Sequence, residues 1–530
     1  MYLLNNWGKP AQAPVSGAFS PQNIETIQLL SRNEFMDWIK ENRRDIIILC
    51  FILVVATILR LVRLGYQSEW NDEALSAVIA GGTTRQILTN QFHSLHPPGY
   101  YLLLHFWRSL LGDTDFVLRL PSALMGIASI VAMYFLGRLL FKSETGLWVA
   151  AITAVMPFHL YYSQEMRMYS QLFLLSTLAI LCQTQVWRNK SNFWWLFYLL
   201  VSLVGLYTHY FFTLIVGTLG LYFILRRWLA RTGPGWKGFF LTYLAMGILY
   251  SPILLWIGDQ WSQSSGYWLQ GVSLARFLSM PLAFTVGLFL DTTFLYVGYG
   301  VILVVWIIVL LQAGRSFKQA TPDSLSLALV LVTYWLPVLI LFGASILLTP
   351  LTLSRLMIFA VPGLYLLLAW GTTMPREKVV NIVLTVLLML IGLLGDYNWL
   401  FNPHYSKPPS REAAFLLQEQ ALPQEAIVHT NDSGFRLFWR YTPRLDHRLI
   451  LESNDNPQVH PEVFEMMGGQ IITFDDPLTE TFWLVLHQDF DAEKQEELFN
   501  RFDERYTRLV YYNLGGIRMY HYRAFSDEPG

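Results

Sequence analysis

The sequence predicts an α-helical polytopic membrane protein that ends in a small α/β domain, on three observations. Of 530 residues, 54% are hydrophobic and only 14% are charged, against about a quarter charged in soluble globular chains. Apolar runs long enough to cross a hydrocarbon core, which takes about 20 residues each, recur from Ile46 to residue 397. From residue 398 charge returns, and short apolar runs alternate with helical patterns.

The runs fall near 46–64, 119–141, 144–161, 169–187, 193–209, 210–226, 238–257, 294–313, 325–348, 355–372 and 379–397. A further apolar stretch, 274–290, reads as re-entrant or interfacial. Residues 1–45 form a polar N-terminal segment, and the run that follows begins too far into the chain for a cleaved signal peptide, so it reads as a retained anchor. Basic residues gather at Arg43/Arg44, Lys142, Arg188/Lys190, Arg226/Arg227/Arg231/Lys237, Arg315/Lys318 and Arg376/Lys378. These are alternate loops, and the positive-inside rule makes them cytoplasmic. The first loop (65–118), loops 161–168, 258–293 and 349–354, and everything after 398 are then outside. Arg60 and Arg63 oppose the rule at the outer end of the first span, where they either snorkel or face the bundle interior. The expected organisation is thus 1–45 cytoplasmic, 46–397 transmembrane and 398–530 extracytoplasmic, in an inner (plasma) membrane.

In the tail, AIVHT, RLIL, FWLVLH and RLVYY read as strands, and REAAFLLQEQ and AEKQEELFNRF as helices, a pattern for a partly parallel sheet. NPHYSKPPS (402–410) reads as the linker into it. A net charge of -1 gives no reason to expect nucleic acid. Cys50 and Cys182 both lie in apolar runs, so a disulfide framework is not expected.

Five constellations can carry chemistry. Glu69-Trp70-Asn71-Asp72-Glu73 offers carboxylates for a general base, a metal ion or a sugar hydroxyl, and serves equally as a loop whose acids favour a following helix N-terminus. His93-Ser94-Leu95-His96-Pro97-Pro98 precedes an amphipathic helix, YYLLLHFWRSLLG, of interfacial type. His93 and His96 are three apart, and the sequence shows no further ligand at metal spacing. Tyr161 to Tyr169 (YYSQEMRMY) places Glu165 and Arg167 in a very short outer loop, expected on the same face as the first loop. Thr208-His209-Tyr210 either lines a polar cavity or belongs to an aromatic belt. Arg355, after Ser354 at the outer start of a span, can hold a phosphate with its fork of donors or make an ordinary headgroup contact.

The Trp-Asn-Asp-Glu loop, HPPGYYLLLHFW, LRLPSALMG, YYSQEMRMYS and LYTHYFF, in this order over 66–211, resemble the GT-C glycosyltransferases. The branch they resemble is the bacterial protein O-mannosyltransferase and aminoarabinose-transferase-like family. Ser354-Arg355 and HYSKPPSREAA resemble the same group more loosely. The resemblance implies a GT-C bundle of eleven to thirteen helices and inverting transfer of a sugar, mannose or similar, from a polyprenyl-phosphate carrier to a protein, lipid or glycan acceptor. It implies Asp72, with Glu73 beside it, as base or acceptor-positioning group, and Glu165 as the second acidic position. Arg167, Tyr169, His96, His209, Tyr210 and Arg355 become substrate or phosphate contacts. No nucleotide site is needed, and a divalent cation is compatible with the phosphate role. Two other readings remain. A transporter or lipid flippase would show pseudo-symmetric halves with broken helices, and a membrane scaffold would make Asp72 and Glu165 dispensable.

Overall fold

In a computed structural model the structure describes residues 40–261, 273–347, 354–374, 376–451, 460–487 and 492–524. The N-terminal segment as far as residue 39, and parts of the expected loops 258–293 and 349–354, lie outside the described residues. The chain divides into two compact units. One comprises the residues through Val62, Ser122–Ile257 and the stretch to Pro403. The other contains Arg63–Pro121 and the chain from His404 on. By this division the first loop groups with the tail.

The first unit is helical, and each of the eleven apolar runs has a helical counterpart. Among the described residues, six helices are long and apolar enough to cross a membrane: Asp115–Leu140, Phe212–Ala230, Thr292–Gln319, Ser324–Leu347, Ser354–Thr372 and Lys378–Phe401. Ser354–Thr372 is the interior one, with 89% of its apolar window buried against 33% for Thr292–Gln319. The run expected at 144–161 is two helices, Ser143–Val155 and Pro157–Ser163. Met156, the residue before Pro157, is extended at φ -80° and ψ 123°, as steric conflict with the proline ring requires. The stretch expected to be re-entrant or interfacial holds two short helices, Leu274–Leu278 and Met280–Ala283, with Leu282, Phe284 and Val286 buried.

Arg60 faces the interior and is fully buried. Its guanidinium donates to the carbonyls of Ala56, Thr153 and Ala154 and meets His159 Nδ1 at 2.7 Å. Asp396, also buried, lies within electrostatic reach of it. An interior charge in an apolar bundle persists when it is hydrogen-bonded in this way. Gly126 is required nearby, because a Cβ there would collide with Ser163 Oγ.

In the second unit six strands form one sheet: β1 (Ala426–His429), β2 (Asp446–Ile450), β3 (Gln470–Ile472), β4 (Thr481–Leu486), β5 (Tyr506–Leu514) and β6 (Ile517–Ala524). Their order is β3-β2-β1-β4-β6-β5. The first four are parallel, while β6 runs antiparallel to β4 and β5. β1 and β4 lie inside the sheet and are buried on both faces, so they read as continuous apolar runs. Ile427, Trp483 and Val485 face one core with Ala413, Leu417 and Phe438. Ala426, Val428, Phe482 and Leu484 face the other with Phe502 and Tyr522. Ala74, from the first loop, is part of the former core. Strands β3 and β6 and the helices Asp432–Tyr441 and Pro461–Met466 add to the elements expected from the sequence.

The amphipathic helix forms at Gly99–Leu111 and stops at Gly112, whose φ of +100° suits glycine. It buries Tyr100, Tyr101 and Leu104, and leaves Phe106, Leu110 and Leu111 exposed, the apolar face an interfacial helix presents.

Candidate active site

In the second unit Asp72 and Glu73 stand in the first turn of the helix Asn71–Gly81, where acidic side chains complement the helix dipole. Asp72 is half-buried, and its carbonyl accepts from Ser76 Oγ at 2.8 Å. Glu73 is fully buried. Arg119 Nε and Nη2 donate to its two carboxylate oxygens, each at 2.8 Å, and Lys407 Nζ donates to Oε2 at 2.9 Å. Burial alone would raise the Glu73 pKa, but the two cations and their hydrogen bonds hold it well below the usual carboxylate range. Glu73, which the resemblance sets beside Asp72, is thus a charged counter-ion with both oxygens engaged. The remaining Arg119 donors bind the carbonyls of Leu64 at 3.1 Å, Gln67 at 2.8 Å and Ser68 at 3.1 Å. Glu73 therefore fixes Arg119, and Arg119 fixes the backbone that leads into Asp72.

Lys407, in the stretch read as a linker, and the start of the helix that follows it do much of this positioning. Lys407 also donates its backbone N–H to Gln67 Oε1 at 2.9 Å. Arg411 bonds the carbonyls of Gly65 and Tyr66 and pairs with Asp115 at 3.0 Å. Glu412 accepts from Ser68 Oγ at 2.8 Å. Glu69 is fully buried, with Arg440 Nε at 3.3 Å and its own backbone N–H donating to Tyr441 Oη at 2.8 Å. Burial pushes its carboxyl up to about 8; Arg440 opposes this, and the nearby Asp115 and Glu73 reinforce it. Arg440 also pairs with Asp113 at 3.0 Å. For Lys407, Arg411 and Glu412 the one signal the sequence offered was the loose likeness of HYSKPPSREAA.

In the first unit Glu165 and Arg167 occupy the tight turn between Pro157–Ser163 and Tyr169–Asn189, and both are buried. The Arg167 N–H donates to the Glu165 carbonyl at 2.8 Å, and Ser122 Oγ donates to the Arg167 carbonyl at 3.0 Å. Gln164 anchors the turn: its Nε2 donates to the carbonyls of Leu59, Arg60 and Val62 while its Oε1 accepts from Trp399 Nε1 at 2.7 Å. Arg167 lies 5.9 Å above the ring of Tyr169, which is itself buried. His209 is buried at the end of Asn192–Thr208, accepts from the Phe211 N–H on Nδ1 at 3.1 Å, and feels the charge of Arg167. Tyr210 follows, half-buried. Arg355 starts the 3-10 helix Ser354–Ala360, which packs against Tyr169–Asn189. The structure thus gathers Glu165, Arg167, Tyr169 and His209, and sets the Arg355 helix against the same element. His96 is half-buried in a turn where its N–H donates to Ser94 Oγ at 3.2 Å.

A bundle of long apolar helices, a buried acid–arginine turn within it, and a large first loop tied by ion pairs to an α/β tail define a multi-pass membrane protein of the GT-C fold class. The crystal structure of ArnT from Cupriavidus metallidurans in the apo state matches 90% of this chain and 97% of its own, with a TM-score of 0.61 at 9% identity. The structure of ArnT from the same organism bound to undecaprenyl phosphate matches 91% and 98%, with a TM-score of 0.57 at 10% identity. The archaeal oligosaccharyltransferase AglB from Archaeoglobus fulgidus, in complex with an inhibitory peptide and a dolichol-phosphate, matches 91% of this chain and 74% of its own (TM-score 0.50, 11% identity). At these identities the likeness is one of fold. In sequence, residues 95–256 match the family described as dolichyl-phosphate-mannose-protein mannosyltransferase. No curated protein matches the chain.

Proposed function

We propose that the chain is an integral-membrane inverting glycosyltransferase that moves a sugar from a polyprenyl-phosphate carrier to a hydroxyl of an extracytoplasmic protein, lipid or glycan. The observation that carries this reading is the match over nine-tenths of the chain to ArnT, a fold captured with undecaprenyl phosphate bound. The mannosyltransferase profile over 95–256 supports a donor of mannose type.

In this reading Asp72 takes the acceptor proton while the acceptor oxygen attacks the anomeric carbon. The bond from that carbon to the phosphate oxygen breaks with inversion, and polyprenyl phosphate leaves with the electron pair. Arg167 and Arg355 meet the charge that develops on the leaving phosphate. Glu165 orients substrate, and His96, Tyr169, His209 and Tyr210 contact it. Glu73 serves as a positioning residue. The assignment of the base to Asp72 is supported by the engagement of both Glu73 oxygens. The basic alternate loops support a cytoplasmic N-terminus and an extracytoplasmic tail.

The test is a transfer assay with the purified chain and a panel of polyprenyl-phosphate sugars. Release of polyprenyl phosphate together with glycosylated acceptor, lost in Asp72→Asn, is the expected result. Movement of intact lipid-linked sugar across vesicles, with no bond cleavage from any donor, would replace the reading with a flippase. A reporter fused after Pro403 should report an outside location, and a cytoplasmic signal would reverse the orientation.

A further inference from the structure

We infer that His93, His460 and Glu462 form a site for one divalent transition-metal ion of the zinc class, at the junction of the first loop with the α/β tail. Among the described residues this is the group of His, Cys, Asp and Glu side chains with metal-ligand spacing, its donor atoms all within 4.8 Å of one another. His93 Nε2 lies 2.9 Å from Glu462 Oε1, and His460 Nδ1 lies 3.6 Å from the same oxygen. Ligand atoms placed tetrahedrally at zinc distances of about 2.0–2.2 Å are separated by about 3.3 Å, so the group is already near the required spread. The two imidazoles stack with centroids 3.7 Å apart and planes 7° from parallel.

Both sides of the site are held by backbone. Asn90 and His93 adopt left-handed φ of 52° and 49°. The turn is closed by the His93 N–H donating to the Asn90 carbonyl at 3.0 Å and by Asn90 Oδ1 accepting from the Ser94 N–H at 2.9 Å. On the tail side His460 is extended before Pro461, and Glu462 sits in the first turn of Pro461–Met466. Two imidazole nitrogens and a carboxylate oxygen suit a borderline cation over magnesium or calcium, which favour all-oxygen sets. Three protein ligands leave a coordination position for water. Neither Asp72 nor Glu165 belongs to the group, so the site is independent of the transfer chemistry proposed above. A bound ion would clip the His93 turn to the tail.

The experiment uses the full chain purified in detergent, stripped with chelator, and titrated with Zn²⁺ by calorimetry and with Co²⁺ by visible absorption. The wild type should bind one ion with a tetrahedral cobalt spectrum and should unfold at higher temperature with Zn²⁺ present. His93→Ala and Glu462→Gln should each weaken binding at least about tenfold and lose the zinc-dependent rise in unfolding temperature. Glu462→Gln preserves volume and an acceptor for His93, so its metal-free unfolding temperature should match the wild type. His404→Ala, outside the group, should bind as the wild type does. No binding by the wild type at micromolar Zn²⁺, or unchanged binding in His93→Ala and Glu462→Gln, would overturn the site and leave an ordinary histidine–carboxylate contact.

Discussion

Lys407 Nζ sits 2.9 Å from Glu73 Oε2, with 8% and 0% of the two side chains exposed. A cation from what reads as a linker thereby completes the charge balance of a carboxylate in the first loop. Breaking a buried pair leaves an uncompensated charge, so Arg119→Met should cost about 3–5 kcal/mol of stability. Lys407→Met removes one of three charge-assisted bonds and should cost about 1.5–3 kcal/mol. Because both cations share Glu73, the double variant should depart from additivity by more than about 0.5 kcal/mol. Thermal unfolding of the purified variants measures all three, and additive, near-zero costs would mean that the triad does not anchor the loop.

Asp72 and Glu73 are adjacent in sequence and opposite in role, and they separate by substitution. Asp72→Asn should lower kcat by about 10²–10⁴-fold, the usual contribution of a general base, with the unfolding temperature unchanged. Glu73→Gln should lower the unfolding temperature and reduce activity through a loosened Arg119 and a displaced loop. A pH–rate profile distinguishes the two, since only loss of the base should abolish its acidic limb. Wild-type turnover in Asp72→Asn would remove the base assignment.

The helices were legible because each apolar run meets the length a bilayer demands, while Asp72 and Glu165 stood out only through the order of the motifs that carry them. The interruption at Met156 was also visible in principle, since Pro157 stands in the middle of the run. The pairings of Glu73 with Lys407, of Glu69 with Arg440 and of His93 with Glu462 were not legible. Each joins residues more than 300 positions apart, and periodicity reports only what neighbours along the chain do. Strand β3 escaped because three residues carry too little alternation, and the grouping of the first loop with the tail escaped because Ala74 enters a core otherwise built from the tail.

Glu69 makes stability depend on pH. Its folded-state pKa, raised to about 8 by burial, exceeds the ordinary carboxylate value of 4.5. The folded chain therefore keeps a proton that the unfolded chain releases between those values. The contribution is fully present below about pH 4.5 and is lost as pH rises through about 8. The unfolding temperature of the wild type should fall between pH 6 and 9, with the range set by that same pKa. Glu69→Gln, which mimics the protonated form, should flatten this fall and exceed the wild type at the alkaline end. Parallel profiles for the two proteins would show that Glu69 ionises normally.

Arg355 offers the sharpest division between donor and acceptor. It starts the 3-10 helix that packs on Tyr169–Asn189, the helix carrying the end of the Glu165–Arg167 turn. A guanidinium bound to a phosphate contributes about 1.5–3 kcal/mol through charge-assisted hydrogen bonds, equivalent to about 10–150-fold in affinity at 1.4 kcal/mol per decade. Arg355→Ala should therefore raise the donor KM by about that factor while the acceptor KM changes little. Arg355→Lys keeps the charge but loses the planar fork, so it should recover only part of the donor affinity. Steady-state kinetics with each substrate varied in turn makes the comparison, and equal increases in both KM values would mean that Arg355 holds the bundle together without touching the phosphate.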